Sequence, residues 1–291
     1  MKLRDWKARR LANSIDTAPY NFAFLDEGSK REIRRKVLKA VAIPGYQVPF
    51  GSRELPIARG WGTGGLQITL SIIVAEDCLK VIDQGCDGSV NAVNIKRFIN
   101  FVTGVKITND TLNATIIQTR HRIPEEPMTE RQILVLQVPY PEALREVEPS
   151  EAETRRMHAE ADYSRMWLYL YEDIVKFGAI SIGYRYPVMV NGRHIMDPSP
   201  IPRWDVPKLH MAETLCLFGA GREKRIYAIP PYTRVEPLEF DDYPFRVENF
   251  NGVACARCGS RETFLDEVID DESGRRAWYC SDTGYCDKRC R

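Results

Sequence analysis

Four cysteines near the C-terminus, Cys255, Cys258, Cys280 and Cys286, constrain this chain more than any other feature. They read C-x2-C, then x21, then C-x5-C. Sulfurs converging from short loops make a soft metal site, and the chain between them has to fold around it. Gly259 relieves the turn after the first pair. FLDEVIDD followed by RRAWYC has the length of a hairpin, with Asp271 to Gly274 as its turn, which returns Cys280 to that pair. This is the shape of a zinc ribbon, in which four thiolates close a structural site. The second gap, SDTGY, is longer than a tight ribbon knuckle and contains Gly284. Cys286 could therefore stand apart from the other three, and Cys290 could replace it. Spacing establishes a metal site but leaves two metals open: a closed zinc, or an iron–sulfur cluster on three thiolates with one thiol free to react.

The 291 residues suffice for one large domain or for a domain with a small appendage. A formal net charge of +1 provides no global field for nucleic acid, which disfavours a zinc-ribbon nucleic-acid module. No apolar stretch is long enough to span a membrane, and MKLRDWKARRLANSID lacks the apolar core of a signal peptide. The expected compartment is the cytoplasm, where clustered thiols favour metal over disulfide. Cys78, Cys86 and Cys216 lie far from the cluster and are expected to be buried, inert thiols.

The pattern predicts an α+β fold: a mixed sheet-and-helix core with a small C-terminal cysteine-rich metal-binding module. Residues 1–18 read as a basic extension, 19–249 as the core and 250–291 as the module. Asp26 to Val41 has helical spacing, with Ile33, Val37 and Val41 on one face. Pro44 ends that helix, and Gly45 follows it as an ordinary turn residue. GWGTGG (Gly60 to Gly65) lacks the lysine and helix start of a phosphate-binding loop. Leu66 to Val74 reads as a largely buried strand, Asn91 to Val102 as a helix, and Ala114 to Gln118 and Gln132 to Val138 as strands. A long helix is expected from Ser150 to about Phe177, capped by Ser150 and Glu153. Strand pairing is expected over Ile180 to Val190, with a hairpin turn at Asn191-Gly192. Arg120, His121 and Arg122 follow a strand, and a solvated surface patch is their default reading. Arg222, Lys224 and Arg225, beside Gly219 and Gly221, suit a phosphate or a partner surface. His158, His194 and His210 show no ligand spacing and are expected to be structural or exposed.

From about Tyr20 onward the chain resembles the catalytic J subunit of the carbon–phosphorus lyase complex, a radical S-adenosylmethionine enzyme. The resemblance lies in YNFAFLDE, LKAVAIPGYQVPFG, GWGTGG, TRHRIPE, MDPSPIP, FGAGREKRIYAIPP, FDDYPF and the cysteine module. It implies that Cys255, Cys258 and Cys280 hold a [4Fe–4S] cluster whose open iron takes S-adenosyl-L-methionine. It further implies a glycyl radical at Gly45 and a thiyl radical at Cys286. The implied reaction cleaves α-D-ribose 1-methylphosphonate 5-phosphate to the ribose 1,2-cyclic phosphate 5-phosphate and methane, in phosphonate catabolism. A C–P bond without an electron sink suits such a one-electron route. A substrate carrying phosphate and phosphonate needs cations and donors, and Arg120, His121, Arg122 and Gln137 are the candidates.

The resemblance also implies G, H and I subunits as partners in a core complex, together with ATP-binding-cassette K and L proteins. Zinc would be captured in place of the cluster after aerobic preparation. The competing reading is a non-catalytic scaffold subunit stapled by zinc on the four cysteines. If Cys286 is to meet Gly45, the module either folds back over the Gly45 loop or swings between two positions.

Overall fold

The computed structural model describes residues 25–51, 63–138, 142–178, 187–197, 201, 203–221, 223–243, 247 and 249–290. The basic extension at 1–18, the first half of GWGTGG (60–62) and the Ile180 end of the expected strand lie outside the described residues. In chain order the first elements are α1 (Glu27–Ala42), β1 (Val48–Pro49), α2 (Thr63–Ile72), β2 (Cys78–Asp83), α3 (Val90–Thr103) and β3 (Lys106–Ile107). Next come β4 (Ile116–Arg120), β5 (Ile133–Gln137), α4 (Glu151–Glu160), α5 (Ser164–Phe177), β6 (Val188–Val190) and β7 (His194–Met196). The last are β8 (Leu215–Ala220), β9 (Arg225–Ile229), β10 (Val235–Pro237), β11 (Leu265–Ile269), β12 (Arg276–Cys280) and α6 (Thr283–Arg289).

Seven strands form one mixed sheet in the order β1-β9-β8-β5-β4-β2-β3. From β3 to β8 its pairs are parallel, while β9 and β1 close it antiparallel. Alternation along the strands sorts the core into two layers. Leu79, Val81, Ile116, Val135, Leu217, Ile226 and Ala228 face the helices α1, α2 and α3. Ile82, Ile117, Leu134, Leu136, Phe218 and Tyr227 face a layer that includes Val188, Val190 and Met196 of the small sheet β10-β6-β7. Helices α1, α2 and α3 thus share one face, while the small sheet and short turns cover the other. This is a mixed sheet-and-helix core and not a doubly wound one.

Helix α1 forms where expected, with Asp26 accepting the Ser29 N–H at 2.7 Å and Ile33, Val37 and Ala40 buried. The segment expected as a strand over Leu66 to Val74 is instead helix α2. An unbroken buried apolar run fits either state, and here the glycines decide. Gly64 lies against β8 so closely that a Cβ would meet the Ala220 carbonyl carbon at 2.7 Å. A helix therefore starts inside GWGTGG, at Thr63, although the lysine of a phosphate-binding loop is still missing. The long helix expected to Phe177 breaks into α4 and α5, with Ala161 in the left-handed region at φ 54. The break lets Tyr163 turn inward and donate its hydroxyl hydrogen to the Arg193 carbonyl at 2.5 Å. Asn191 and Gly192 make the β6–β7 turn with φ of 52 and 65. Among the described residues no helix is long and apolar enough to cross a membrane.

Candidate metal centre and the cleft at Gly45

The cysteine module is the β11–β12 hairpin followed by helix α6, with its own small core of Cys255, Leu265, Cys280 and Cys286 packed by Phe250 and Trp278. The hairpin brings Cys280 back to the first pair, as the spacing predicts. The SDTGY gap is not a knuckle. Asp282 caps α6 by accepting the Tyr285 N–H at 2.9 Å, and the first helical turn carries Cys286 inward. Gly284 is required there, because a Cβ would lie 2.7 Å from the Asp87 carboxylate and 2.9 Å from Lys80 Nζ.

The sulfurs of Cys255, Cys258, Cys280 and Cys286 all lie within 4.8 Å of one another. Cys255 and Cys286 are 3.8 Å apart, and Cys258 and Cys280 are 3.5 Å apart. Bonds of about 2.3 Å to one tetrahedral ion would put sulfurs roughly 3.8 Å apart, so this spacing is that of a single ion. The donors also suit an iron–sulfur cluster. Thiolates on separate irons would stand further apart, so a cube on three of them requires the set to open. Cys290 is exposed, with its sulfur on the Arg257 carbonyl, and takes no part in the quartet.

Burial opposes ionisation of Cys255, yet the Cys258 and Cys280 backbone N–H groups aimed at its sulfur outweigh it and hold the thiol near 6. Burial and the neighbouring thiols push Cys280 up to about 12 and Cys286 higher still. Of the remote cysteines, Cys216 is buried as expected, and burial raises its thiol to about 12. Cys78 and Cys86 are only half-buried, because Cys78 opens β2 and Cys86 lies in the turn that follows it.

The module is stitched to the carboxyl ends of β2 and β4. Ser281 donates to the Gln84 carbonyl at 3.0 Å, and Thr283 accepts the Asp87 N–H at 3.1 Å. Glu125 accepts the Phe264 N–H at 3.0 Å and the Trp204 indole N–H at 3.1 Å, while its own N–H reaches Asp282 at 2.9 Å. Lys288 bridges Asp110 and Glu126.

The same rim carries most of the expected substrate residues. Asp83, Arg120, Gln137 and Gly219 stand in register across β2, β4, β5 and β8. Arg120 is gripped by the Asp83 carboxylate at 2.8 and 3.0 Å, and Gln137 accepts the Gly65 N–H at the start of α2. His121 sits in the left-handed region at φ 78, with burial and the charge of Arg120 lowering its imidazole to about 4. Arg122 turns away to the module, 3.1 Å over the Phe264 ring. Arg120, His121 and Gln137 therefore share one rim, which Arg122 ties to the cysteine module through Phe264 and Asp266. Asp83 was missed, because its partner is a strand away and no local spacing announces it.

Gly45 lies elsewhere. Its N–H bonds the Ala228 carbonyl of β9 at 2.9 Å, beyond the other edge of the sheet. The strands β9, β8, β5 and β4 separate it from β2, where the module docks; at ~4.8 Å per strand this is on the order of 20 Å. The module therefore does not fold back over the Gly45 loop in this arrangement. Gly45 has φ +76, and a Cβ would lie 2.8 Å from Val190 Cβ, so only glycine fits. It forms one wall of a cleft of about 390 Å³ shared with Tyr46, Gln47, Glu142, His158 and His194. His158 bonds Glu142 at 2.9 Å. These two histidines line a cavity rather than serving only as packing, and their distance in sequence from Gly45 hid this. Arg225 also lines the cleft and pairs with Glu151 at 3.6 Å; Arg222 lies outside the described residues.

Fold and site together define a mixed α/β protein with a four-thiolate, metal-competent centre at the carboxyl rim of its sheet. Residues 18–291 match the family described as phosphonate metabolism protein PhnJ, and the chain belongs to that family. The chain is 61% identical over 267 residues to the alpha-D-ribose 1-methylphosphonate 5-phosphate C-P lyase of Escherichia coli (strain K12), covering 92% of this chain and 95% of that protein. It is 59% identical over 274 residues to the C-P-lyase of the same description from Rhizobium meliloti (strain 1021), covering 94% and 92%.

Proposed function

We propose that this chain cleaves the C–P bond of α-D-ribose 1-methylphosphonate 5-phosphate, releasing methane and leaving the 1,2-cyclic phosphate 5-phosphate. The observation that carries this is the thiolate quartet, set in a chain that aligns almost end to end with two lyases of that description. Cys255, Cys258 and Cys280 would hold a [4Fe–4S] cluster, which with S-adenosylmethionine supplies the one-electron chemistry a C–P bond demands. Cys286, released when the set opens, is the reacting thiol. Gly45 is the position for a backbone radical: its Cα carries no side chain, and the fold admits none. At the rim, Arg120 and Gln137 offer a fork and an amide to the substrate's anionic groups, and Asp83 holds the fork in place. His121 and Arg122 complete the contact set. The G, H and I subunits, the ATP-binding-cassette K and L proteins and a cytoplasmic setting follow from the same reading, as does the division into core and module near residue 250.

The sulfur spacing favours a second state, a zinc ion closing all four thiolates as a staple. Metal content separates the two. Protein purified without oxygen should contain iron and sulfide, show a reduced-cluster EPR signal that shifts with S-adenosylmethionine, and release methane from the substrate. Zinc alone under those conditions would leave the scaffold reading standing and remove the lyase reading. Cys286→Ala should keep the iron and stop methane release; loss of the iron would instead make Cys286 a ligand.

A further inference from the structure

We propose that Asp282 is the positioning residue for the Cys286 thiol: its carboxylate fastens helix α6 to the core, so that the thiolate set opens between α6 and the hairpin. This deepens, and rests on, the reading of Cys286 as the reacting thiol. The two oxygens of Asp282 have separate duties. Oδ1 accepts the Tyr285 N–H at 2.9 Å and caps α6, while Oδ2 accepts the Glu125 N–H of the core at 2.9 Å. The carboxylate is buried, so a lost bond is not simply replaced by water.

The rest of α6 is seated on the same body. Thr283 accepts the Asp87 N–H at 3.1 Å, and Lys288 bridges Asp110 and Glu126. Gly284 brings the helix backbone against the Asn109 carbonyl oxygen, which a Cβ would meet at 2.8 Å. Toward the rest of the module α6 offers Cys286 and Tyr285 to the small core, together with an exposed ion pair between Asp287 and Arg257. The other three thiolates precede Ser281 and are tied to one another. The Cys255 N–H bonds the Ser260 carbonyl at 2.8 Å, the Ala256 N–H bonds the Trp278 carbonyl at 2.7 Å, and Cys280 pairs with Leu265 across the hairpin. Three sulfurs therefore belong to one body and the fourth to another. When the set widens, the three move together and Cys286 stays at the carboxyl rim, which also carries Arg120 and Gln137.

The test is timed, anaerobic alkylation of the metal-loaded full chain with iodoacetamide, read cysteine by cysteine by mass spectrometry, with exposed Cys290 as the internal reference. An asparagine has one acceptor oxygen and can serve the Tyr285 N–H or the Glu125 N–H, but not both. Asp282→Asn should therefore speed alkylation of Cys286 about tenfold or more, with Cys255, Cys258 and Cys280 unchanged. Lys288→Met should do the same to a smaller degree. Arg257→Ala, which cuts the ion pair to the Cys255–Cys258 turn, should leave Cys286 at the parent rate. Hydrogen exchange along β11 and β12 should match the parent in all three variants. A merely structural role for Asp282 would expose the four thiols together. Equal acceleration of all four, no change at Cys286, or an effect of Arg257→Ala as large as that of Asp282→Asn would each overturn the proposal. The readout needs neither turnover nor a particular metal. If the anaerobic protein holds zinc alone and Cys286 still reacts selectively, the lyase reading falls and the positioning role stands; iron and methane release without that selectivity remove the positioning role alone.

Discussion

The thiolate centre and the Gly45 cleft occupy opposite sides of one sheet and hold their polar groups in different ways. Around the cysteines, donors are buried, sulfurs nearly touch, and Glu125, Asp282 and Lys288 pin the module to the rim. At Gly45 the polar groups instead line an open cavity, and only the backbone of the glycine itself is tightly packed. A closed centre resists entry of any ligand until it opens, whereas the cleft is ready to receive one. Metal retention and ligand capture are therefore separable properties of this chain, and variants at one site should leave the other intact.

The largest effect is expected from the centre. Replacing Cys258 with Ser, or removing the metal with a chelator, should unfold β11–β12 and α6, because closed thiolate sites contribute on the order of 10 kcal/mol of metal-linked folding free energy. Hydrogen exchange should show those segments losing protection while α1 and β9 beside Gly45 keep theirs. Loss of protection at α1 as well would break the comparison. The next largest comes from the other side. Gly45→Ala adds a Cβ 2.8 Å from Val190 at φ +76 and should cost about 2–4 kcal/mol in denaturant unfolding. Metal content should not change.

The two sites also differ in how far they were legible in the sequence. The hairpin, its Asp271 to Gly274 turn and the return of Cys280 follow from local spacing, as do α1 and the Asn191-Gly192 turn. The helix at Thr63–Ile72 was read as a strand because its burial is complete, and only the backbone of β8 shows why two glycines stand at its start. The cleft was not legible. Its walls come from Gly45, Glu142, His158 and His194, which only the antiparallel return of β9 and the β6–β7 hairpin bring together. The row of Asp83, Arg120 and Gln137 depended likewise on strand register, which no periodicity within a strand reveals.

A smaller effect should appear with pH at the shared rim. His121 titrates near 4 when folded against an ordinary 6.5, with burial the main cause and Arg120 adding to it. The unfolded chain takes up the proton first as pH falls. Its contribution is therefore complete above about pH 6.5 and is lost between pH 6.5 and 4, up to roughly 3 kcal/mol. His121→Asn, which tolerates the φ of 78, should flatten unfolding free energy across that window. An unchanged slope would mean that His121 is not the responsible group.

The smallest effect sharpens the comparison most, because it separates two arginines that lie two residues apart. Arg120 is held by a buried carboxylate, whereas Arg122 lies over Phe264 and reaches a half-exposed Asp266 at 3.5 Å. A cation over an aromatic ring is worth about 0.5–1 kcal/mol near the surface, and an exposed ion pair adds little. Arg122→Ala should therefore cost about 1 kcal/mol in stability. That cost should appear locally, as faster exchange at the Phe264 and Leu265 amides where the module meets the rim. Exchange at the β9 amides beside Gly45 should not move. If it did, the module and the cleft would be coupled across the intervening strands, and the separation drawn between them would have to give way to a single linked site.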